Sequence, residues 1–331
     1  MKLVRIRNIA IIGAGIMGQG FAQVFAQKGF PVALYDIDEG ILRKAFSMIS
    51  ERLNTFVEHK VISKKEKEET LERIVTCSGM EQALHQVDFV LEAVPELMDL
   101  KKKVFRDMDR FAPQHTILAS NTSGLSITEM GSCTSRPEKT IIVHGVNPPY
   151  LIPVVEIVRG SETSDETAES TYRLMVKAGK KPVRLLKEVP GFVINRLQNA
   201  LYREALYCLE AGVATAADID RAVKEGFGLR MSILGPFETS DLGGLDTWYR
   251  SCQNIFPSLS DSKEAPMYLK RLVENGKLGV KTGEGFFKYS QGAIKNRIRE
   301  RDENLIWLLR LPAGSKHAKA LKNKARCKPC H

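Results

Sequence analysis

The stretch NIAIIGAGIMG at residues 8–18 constrains the fold more than any other part of the chain. An apolar run from Asn8 to Ile12 reads as a strand and passes directly into Gly13-Ala-Gly15-Ile16-Met17-Gly18. A helical pattern follows, with Met17, Phe21, Val24 and Phe25 on one face, and Gly29 is placed to stop it. Pro31 to Tyr35 then reads as a second strand, ending in Asp36. Strand, glycine turn, helix and strand make a βαβ unit, which requires a parallel sheet.

Glycine spacing alone is weak evidence, but here the strand, the helix and the acid all stand where a dinucleotide needs them. Gly13 permits the tight turn, Gly15 lets backbone approach a pyrophosphate, and Gly18 lets helix and strand pack closely. The leading N–H groups around Ile16 and Met17 offer hydrogen bonds and partial positive charge to phosphate. Asp36 can accept both hydroxyls of a ribose and would repel a 2′-phosphate, so the pattern predicts NAD rather than NADP.

With 331 residues, the chain has room for about two domains. Residues 40–74 are charged and helical, with Ile49, Leu53 and Phe56 at helical spacing, and suggest a projecting arm. Further strands are expected at Ile74–Cys77, Val87–Ala93, Thr116–Ser120, Thr140–His144, Val154–Val158 and Pro182–Leu186. Alternation with helices predicts an α/β fold with a doubly wound, Rossmann-type sheet over residues 1–188. After Val189 the pattern becomes helical, giving an all-helical domain over 189–290. A charged helix and a basic tail fill 291–331.

The basic start before an apolar run superficially resembles a signal peptide, but glycines interrupt it and the nucleotide turn explains it better. No stretch approaches the roughly 20 apolar residues of a membrane span, so a cytoplasmic location without membrane attachment is expected. The net charge of +10 raises nucleic-acid binding. Yet the tail beyond Pro312 holds Lys316, Lys319, Lys322, Lys324, Arg326 and Lys328 with no acid and no aromatic, so the excess is local and a nucleic-acid partner is not expected. Six scattered cysteines argue for reduced thiols. Cys327, Cys330 and His331 in the terminal CKPCH could meet a metal, but a single CxxC without a second ligand pair does not predict one.

An NAD domain predicts hydride transfer, which needs a group to take or return a hydroxyl proton. In HGVNPPYLIPVVE, residues 144–156, His144 ends a strand at the sheet edge where such folds bind ligands. Its unperturbed pKa lies near neutrality, and Glu156 can bind its other ring nitrogen, fix the tautomer and stabilise the imidazolium.

The chain resembles the L-3-hydroxyacyl-CoA dehydrogenase superfamily in IGAGIMGQG, LEAVPE (91–96), ASNTSGLSIT (119–128), HGVNPP (144–149), VVEIV (154–158), PGFVINRL (190–197), GPFE (235–238), GLD (244–246) and KTGEGFFKY (281–289). The segments stand in family order over roughly residues 8–289. The resemblance implies a homodimeric NAD enzyme that interconverts an L-3-hydroxyl and a ketone on a small-molecule substrate. It makes His144 the general base and Glu156 its orienting acid. Ser123 would contact the reacting oxygen and nicotinamide, and Asn147 the nicotinamide or substrate carbonyl. Asn195 would reach the site from the second domain. Glu96 and Lys101 match positions near the ribose and cofactor, and Lys281 one that touches the adenine end.

Two departures bear on the substrate. Members using CoA typically read HFFNP followed by a methionine–lysine pair, where this chain has HGVNPP and Tyr150-Leu-Ile-Pro153. They also carry lysines along the arm, where this chain has NTFVEHK, with Glu58 in place of a cation. Lys60, Lys64 and Lys65 are still available for a CoA phosphate. Against these departures, the resemblance to the family as a whole makes a short L-3-hydroxyacyl-CoA the expected substrate. The alternatives are a free 3-hydroxy acid, as in the branch with L-gulonate 3-dehydrogenase (lambda-crystallin) and a pyridine-carboxylate dehydrogenase, or a noncatalytic NAD-binding role.

Overall fold

The computed structural model describes residues 4–290 and 293–310, which divide into two compact units between Arg196 and Leu197. In the first, the elements run β1 (Ile9–Ile12), α1 (Ile16–Gln27), β2 (Val32–Tyr35), α2 (Glu39–Glu58), α3 (Lys64–Glu72), β3 (Ile74–Cys77), α4 (Met80–Leu84) and β4 (Phe89–Glu92). They continue with α5 (Met98–Phe111), β5 (Ile117–Ser120), α6 (Ile127–Gly131), β6 (Thr140–Gly145), β7 (Val154–Val158), α7 (Asp165–Lys177), β8 (Lys181–Leu185) and the first turn of α8 (Ile194–Glu210).

The strands form one sheet in the order β3-β2-β1-β4-β5-β6-β7-β8. Neighbours are parallel except β6 and β7, so β7 and β8 run against the rest. The order reverses direction between β1 and β4, and Ile12 lies level with both Tyr35 and Glu92 there. Ligands of such sheets bind in the crevice beyond the carboxyl ends of these strands.

Helices cover both faces, which is why β1, β4, β5 and β6 are buried throughout and read as near-continuous apolar runs. One face packs Ile11, Leu34, Phe89 and Val143 against Phe21 and Phe25 of α1. The other packs Ile12, Val90, Leu118 and Ile142 against Phe105 and Phe192.

The expected projecting arm is a helical pair that the domain holds along its length. Asp38 caps α2 through the N–H groups of Gly40 and Ile41, and Ser63 and Glu66 form a capping box on α3. Leu42, Ala45, Ile49 and Leu53 join the core beside α1 instead of standing clear of it. Each larger side chain so buried contributes about 1.5–3 kcal/mol, which opposes detachment of the pair.

The second unit holds the rest of α8, then α9 (Ala216–Arg221), α10 (Gly228–Met231), α11 (Pro236–Gly243), α12 (Leu245–Ile255), α13 (Met267–Glu274) and α14 (Ala293–Arg310). Gly279, Glu284 and Lys288 make isolated antiparallel bridges in the KTGEGFFKY region. No helix among the described residues is long and apolar enough to cross a membrane. The basic tail and CKPCH lie outside the described residues.

Candidate active site

The glycine turn between β1 and α1 is built as the spacing predicts. Gly13 has a φ of 102°, and a Cβ there would lie 2.8 Å from the Ala93 carbonyl oxygen. A Cβ on Gly18 would stand 1.8 Å from the Gly13 oxygen, whereas at Gly15 nothing lies within 4 Å. Backbone therefore closes on Gly13 and Gly18, and space is open at Gly15. No side chain caps α1 and its first turn carries no acid, so its leading N–H groups, around exposed Ile16 and half-buried Met17, remain for an anion. Asp36, just past β2, accepts from the Ala14 N–H at 2.9 Å and from the Asp38 N–H at 3.2 Å, one bond to each carboxylate oxygen. Each oxygen keeps acceptor capacity for a ribose hydroxyl. These residues fit NAD.

Further along the sheet, the antiparallel register sets His144 of β6 directly opposite Glu156 of β7. The His144 Nδ1 lies 2.7 Å from Glu156 Oε2, with the glutamate fully buried and the histidine nearly so. The other carboxylate oxygen, Oε1, accepts the backbone N–H groups of Val193 and Ile194, at 2.9 and 3.0 Å. Burial pushes the Glu156 carboxyl up, but the bond from His144 and the N–H groups of Ile194 and Val193 outweigh it and hold it below the ordinary 4.5. An ionised carboxylate only accepts, so Nδ1 of His144 carries a proton, which makes Nε2 the nitrogen available to exchange one.

The Pro190-Gly191-Phe192 turn aims those N–H groups. Gly191 has φ 78° and Phe192 φ 51°, a left-handed conformation that costs a side-chain-bearing residue about 1–2 kcal/mol. Phe192 is fully buried and its ring centroid lies 5.3 Å from that of His144. The strained turn thus starts α8 at Glu156 and packs the imidazole.

A second network lies beyond β4 and β5. Glu92, fully buried, accepts from Ser120 Oγ at 2.6 Å, from the Val94 N–H at 2.7 Å and from Lys101 Nζ at 2.7 Å. Lys101 also lies 3.2 Å from Glu96. Glu96 in turn accepts from Thr122 Oγ1 at 2.6 Å, from the Ser123 N–H at 2.9 Å and from Ser123 Oγ at 3.2 Å. Burial pushes the Glu96 carboxyl up, but Thr122, Lys101 and Ser123 together bring it below its usual range. Asn195 Nδ2 lies 3.3 Å from the Ser123 carbonyl oxygen, which ties this network to the first turn of α8.

Four placements refine what the sequence predicts. Lys101 is 1% exposed and is neither a solvated charge nor open to a ligand; its ammonium is spent on Glu92, Glu96 and the Val94 carbonyl. Asn195 stands in the first turn of α8, whose Ile194 N–H Glu156 accepts, and falls within the compact unit that ends at Arg196. Lys281 lies exposed in the second unit. Asn147 is exposed on the loop after His144, and Gly145 packs so tightly beneath α1 that a Cβ would lie 2.5 Å from Phe21 Cζ.

Sequence reasoning passed over Phe192, Thr122 and Glu92. A glycine followed by a buried aromatic ahead of a helix was the available signal for the first, and a carboxylate ending a wholly apolar strand for the last. Among the described residues no group of three or more His, Cys, Asp or Glu is placed to hold a metal ion.

Two family descriptions match the chain: 3-hydroxyacyl-CoA dehydrogenase, NAD binding domain, over residues 8–189, and 3-hydroxyacyl-CoA dehydrogenase, C-terminal domain, over 191–289. A probable 3-hydroxybutyryl-CoA dehydrogenase of Bacillus subtilis is 38% identical, across 87% of this chain and 99% of its own. The 5-formyl-3-hydroxy-2-methylpyridine 4-carboxylate 5-dehydrogenase of Mesorhizobium japonicum is 36% identical, across 93% and 99%. A solved structure of a dehydrogenase of that pyridine carboxylate superposes with a TM-score of 0.87 at 34% identity, covering 93% of this chain and 98% of its own.

Proposed function

This chain belongs to the 3-hydroxyacyl-CoA dehydrogenase family of NAD-dependent oxidoreductases acting on CH–OH groups, and we propose that it interconverts a short L-3-hydroxyacyl-CoA, such as 3-hydroxybutyryl-CoA, with its 3-ketoacyl-CoA. The observation that carries the chemistry is the His144–Glu156 pair, with the imidazole held in one tautomer by a buried, ionised carboxylate. NAD, when bound, supplies the hydride acceptor. His144 takes the 3-hydroxyl proton at Nε2, and Glu156 stabilises the resulting imidazolium across Nδ1. Ser123, whose hydroxyl donates to Glu96, presents its lone pairs to the substrate hydroxyl or the nicotinamide amide. Asn147 and Asn195 supply further polar contacts to substrate and cofactor. Fatty acid breakdown or its reversal is the metabolic setting of such a substrate, and a cytoplasmic location suits it.

A second reading, a free acid without CoA, is favoured by the extent of the likeness to the pyridine-carboxylate dehydrogenase. The crowding of Gly145 by Phe21 also gives the wall beside His144 a different construction from the HFFNP form. NADH oxidation with acetoacetyl-CoA, run beside free acetoacetate, separates the two. Turnover of the thioester alone is expected. Turnover of neither, with NADH bound, overturns the acyl-CoA reading in favour of other free acids or a noncatalytic role.

The second unit supports a homodimer. Phe237, Ile233 and Leu242 are 83%, 78% and 76% exposed, and a second copy of the chain would cover such apolar side chains.

A further inference from the structure

Between His144 and Glu156 the chain leaves β6, runs through Val146–Pro153 and returns on β7, and this segment carries Asn147. Three of its residues, Pro148, Pro149 and Pro153, have no N–H, so the loop has few donors with which to hold itself. Its internal bonds run to one acceptor: the Leu151 and Ile152 N–H groups donate to the Pro148 carbonyl at 3.1 and 2.9 Å. The Pro153 carbonyl accepts from the Lys181 N–H at 2.8 Å. The carbonyls of Pro149 and Ile152 both accept from one group, the Nζ of Lys180, the latter at 3.0 Å. Lys180 is 8% exposed.

The loop is packed from the opposite side. Pro149 sits against Gly20 of α1, where a Cβ would lie 2.5 Å from Pro149 Cγ. Tyr150 lies beneath the Arg52 guanidinium, 4.6 Å from the ring centroid, with Phe56 of α2 at 6.3 Å. These contacts give the loop a floor; Lys180 stitches it at Pro149 and at Ile152.

We infer that Lys180 is a positioning residue for the reaction, fixing the path of the loop that joins His144 to Glu156 and thereby the placement of Asn147, three residues past His144 on that loop. The inference rests on the reading of His144 as the general base. A buried ammonium bound only by carbonyls costs more to desolvate than an apolar side chain of equal length, so packing alone is a poor account of it. The other charged groups around it are otherwise engaged or distant in role: Glu66 belongs to the α3 capping box, Glu69 pairs with Arg73 at 3.1 Å, and Lys28 carries like charge. All of them line, with Lys180, a cavity of about 470 Å³.

That cavity makes the test specific. Lys180→Met should remain folded, lose on the order of ten- to a hundredfold in kcat/KM, and lose no more than a few fold in NADH affinity, since Asn147 is displaced while the Gly15 and Asp36 end is untouched. Lys180→Ala should show the same loss, restored in part by ethylammonium entering through the cavity, and Lys180→Arg should retain more activity than either. Hydrogen exchange of the peptide covering residues 146–153 should quicken in Lys180→Met while β6 is unchanged. Wild-type kcat/KM and unchanged exchange in Lys180→Met would overturn the inference, as would failure of ethylammonium to act on Lys180→Ala. If Lys180→Met does not fold, the alanine rescue and the arginine variant decide the matter. Exchange is read without substrate, so it judges the stitch even if wild-type protein turns over neither acetoacetyl-CoA nor acetoacetate, a result that would count against the proposed function alone.

Discussion

At the scale of single residues, Glu156 is worth most to the account. It is fully buried, accepts three hydrogen bonds and is held below its ordinary pKa, so it decides which nitrogen of His144 is basic. Glu156→Gln keeps the shape and the bonds from Val193 and Ile194 but removes the charge that stabilises an imidazolium. Turnover is expected to fall by about 10²–10⁴, with NADH affinity unchanged, as steady-state kinetics and fluorescence titration would show. Pairing of this kind was legible in the sequence, because a strand end and an acid within reach of a reversal suggest opposite register. The hold on Glu156 was not legible. It depends on Phe192 taking a left-handed conformation that a bulky side chain ordinarily avoids, and no local propensity announces that. The burial of Lys101 was not legible for a similar reason, since it comes from tertiary packing against Glu92 and Glu96.

At the scale of elements, the clearest case is the joint between α5 and α6. Arg136, 2% exposed, donates from Nε to Asp109 at 2.6 Å and from its other nitrogens to the Asp109, Ala112 and Pro113 carbonyls, closing the end of α5. Burial pushes the Asp109 carboxyl up, but the Ser135 N–H, Arg136 and the Ser135 hydroxyl bring it below 3.8. Asp109→Asn leaves a buried guanidinium without its counter-charge and should cost about 3 kcal/mol in urea unfolding at pH 7. A depressed carboxylate pKa stabilises the fold above the unfolded value and ceases to do so as pH falls through the folded value. The gap between wild type and Asp109→Asn should therefore narrow below pH 3.8. Strands and helices of this unit were readable from periodicity and from the glycine turn, both local signals. The course of α2 and α3 was misjudged because charge along a helix says which face meets water and not what its apolar stripe meets.

At the scale of the molecule, the second unit exposes much of its apolar surface, including Phe237, Leu242 and Tyr249. A homodimer through this surface predicts twice the chain mass in sedimentation equilibrium, and Phe237→Asp should shift the population toward the single chain. A wild-type protein that sediments as one chain at micromolar concentration would contradict it. The helical character of this unit was plain in the sequence, whereas which of its faces stay uncovered was not, since exposure is a property of assembled elements.

In the proposed function His144 moves the proton while the cofactor is held elsewhere, by the glycine turn and Asp36. The direct measurement is turnover and NADH binding of His144→Gln beside wild type, with whichever ketone substrate the wild type reduces. Loss of turnover by at least about a thousandfold with unaltered NADH affinity is the expected result. Turnover that persists in His144→Gln within a few fold of wild type would contradict the account.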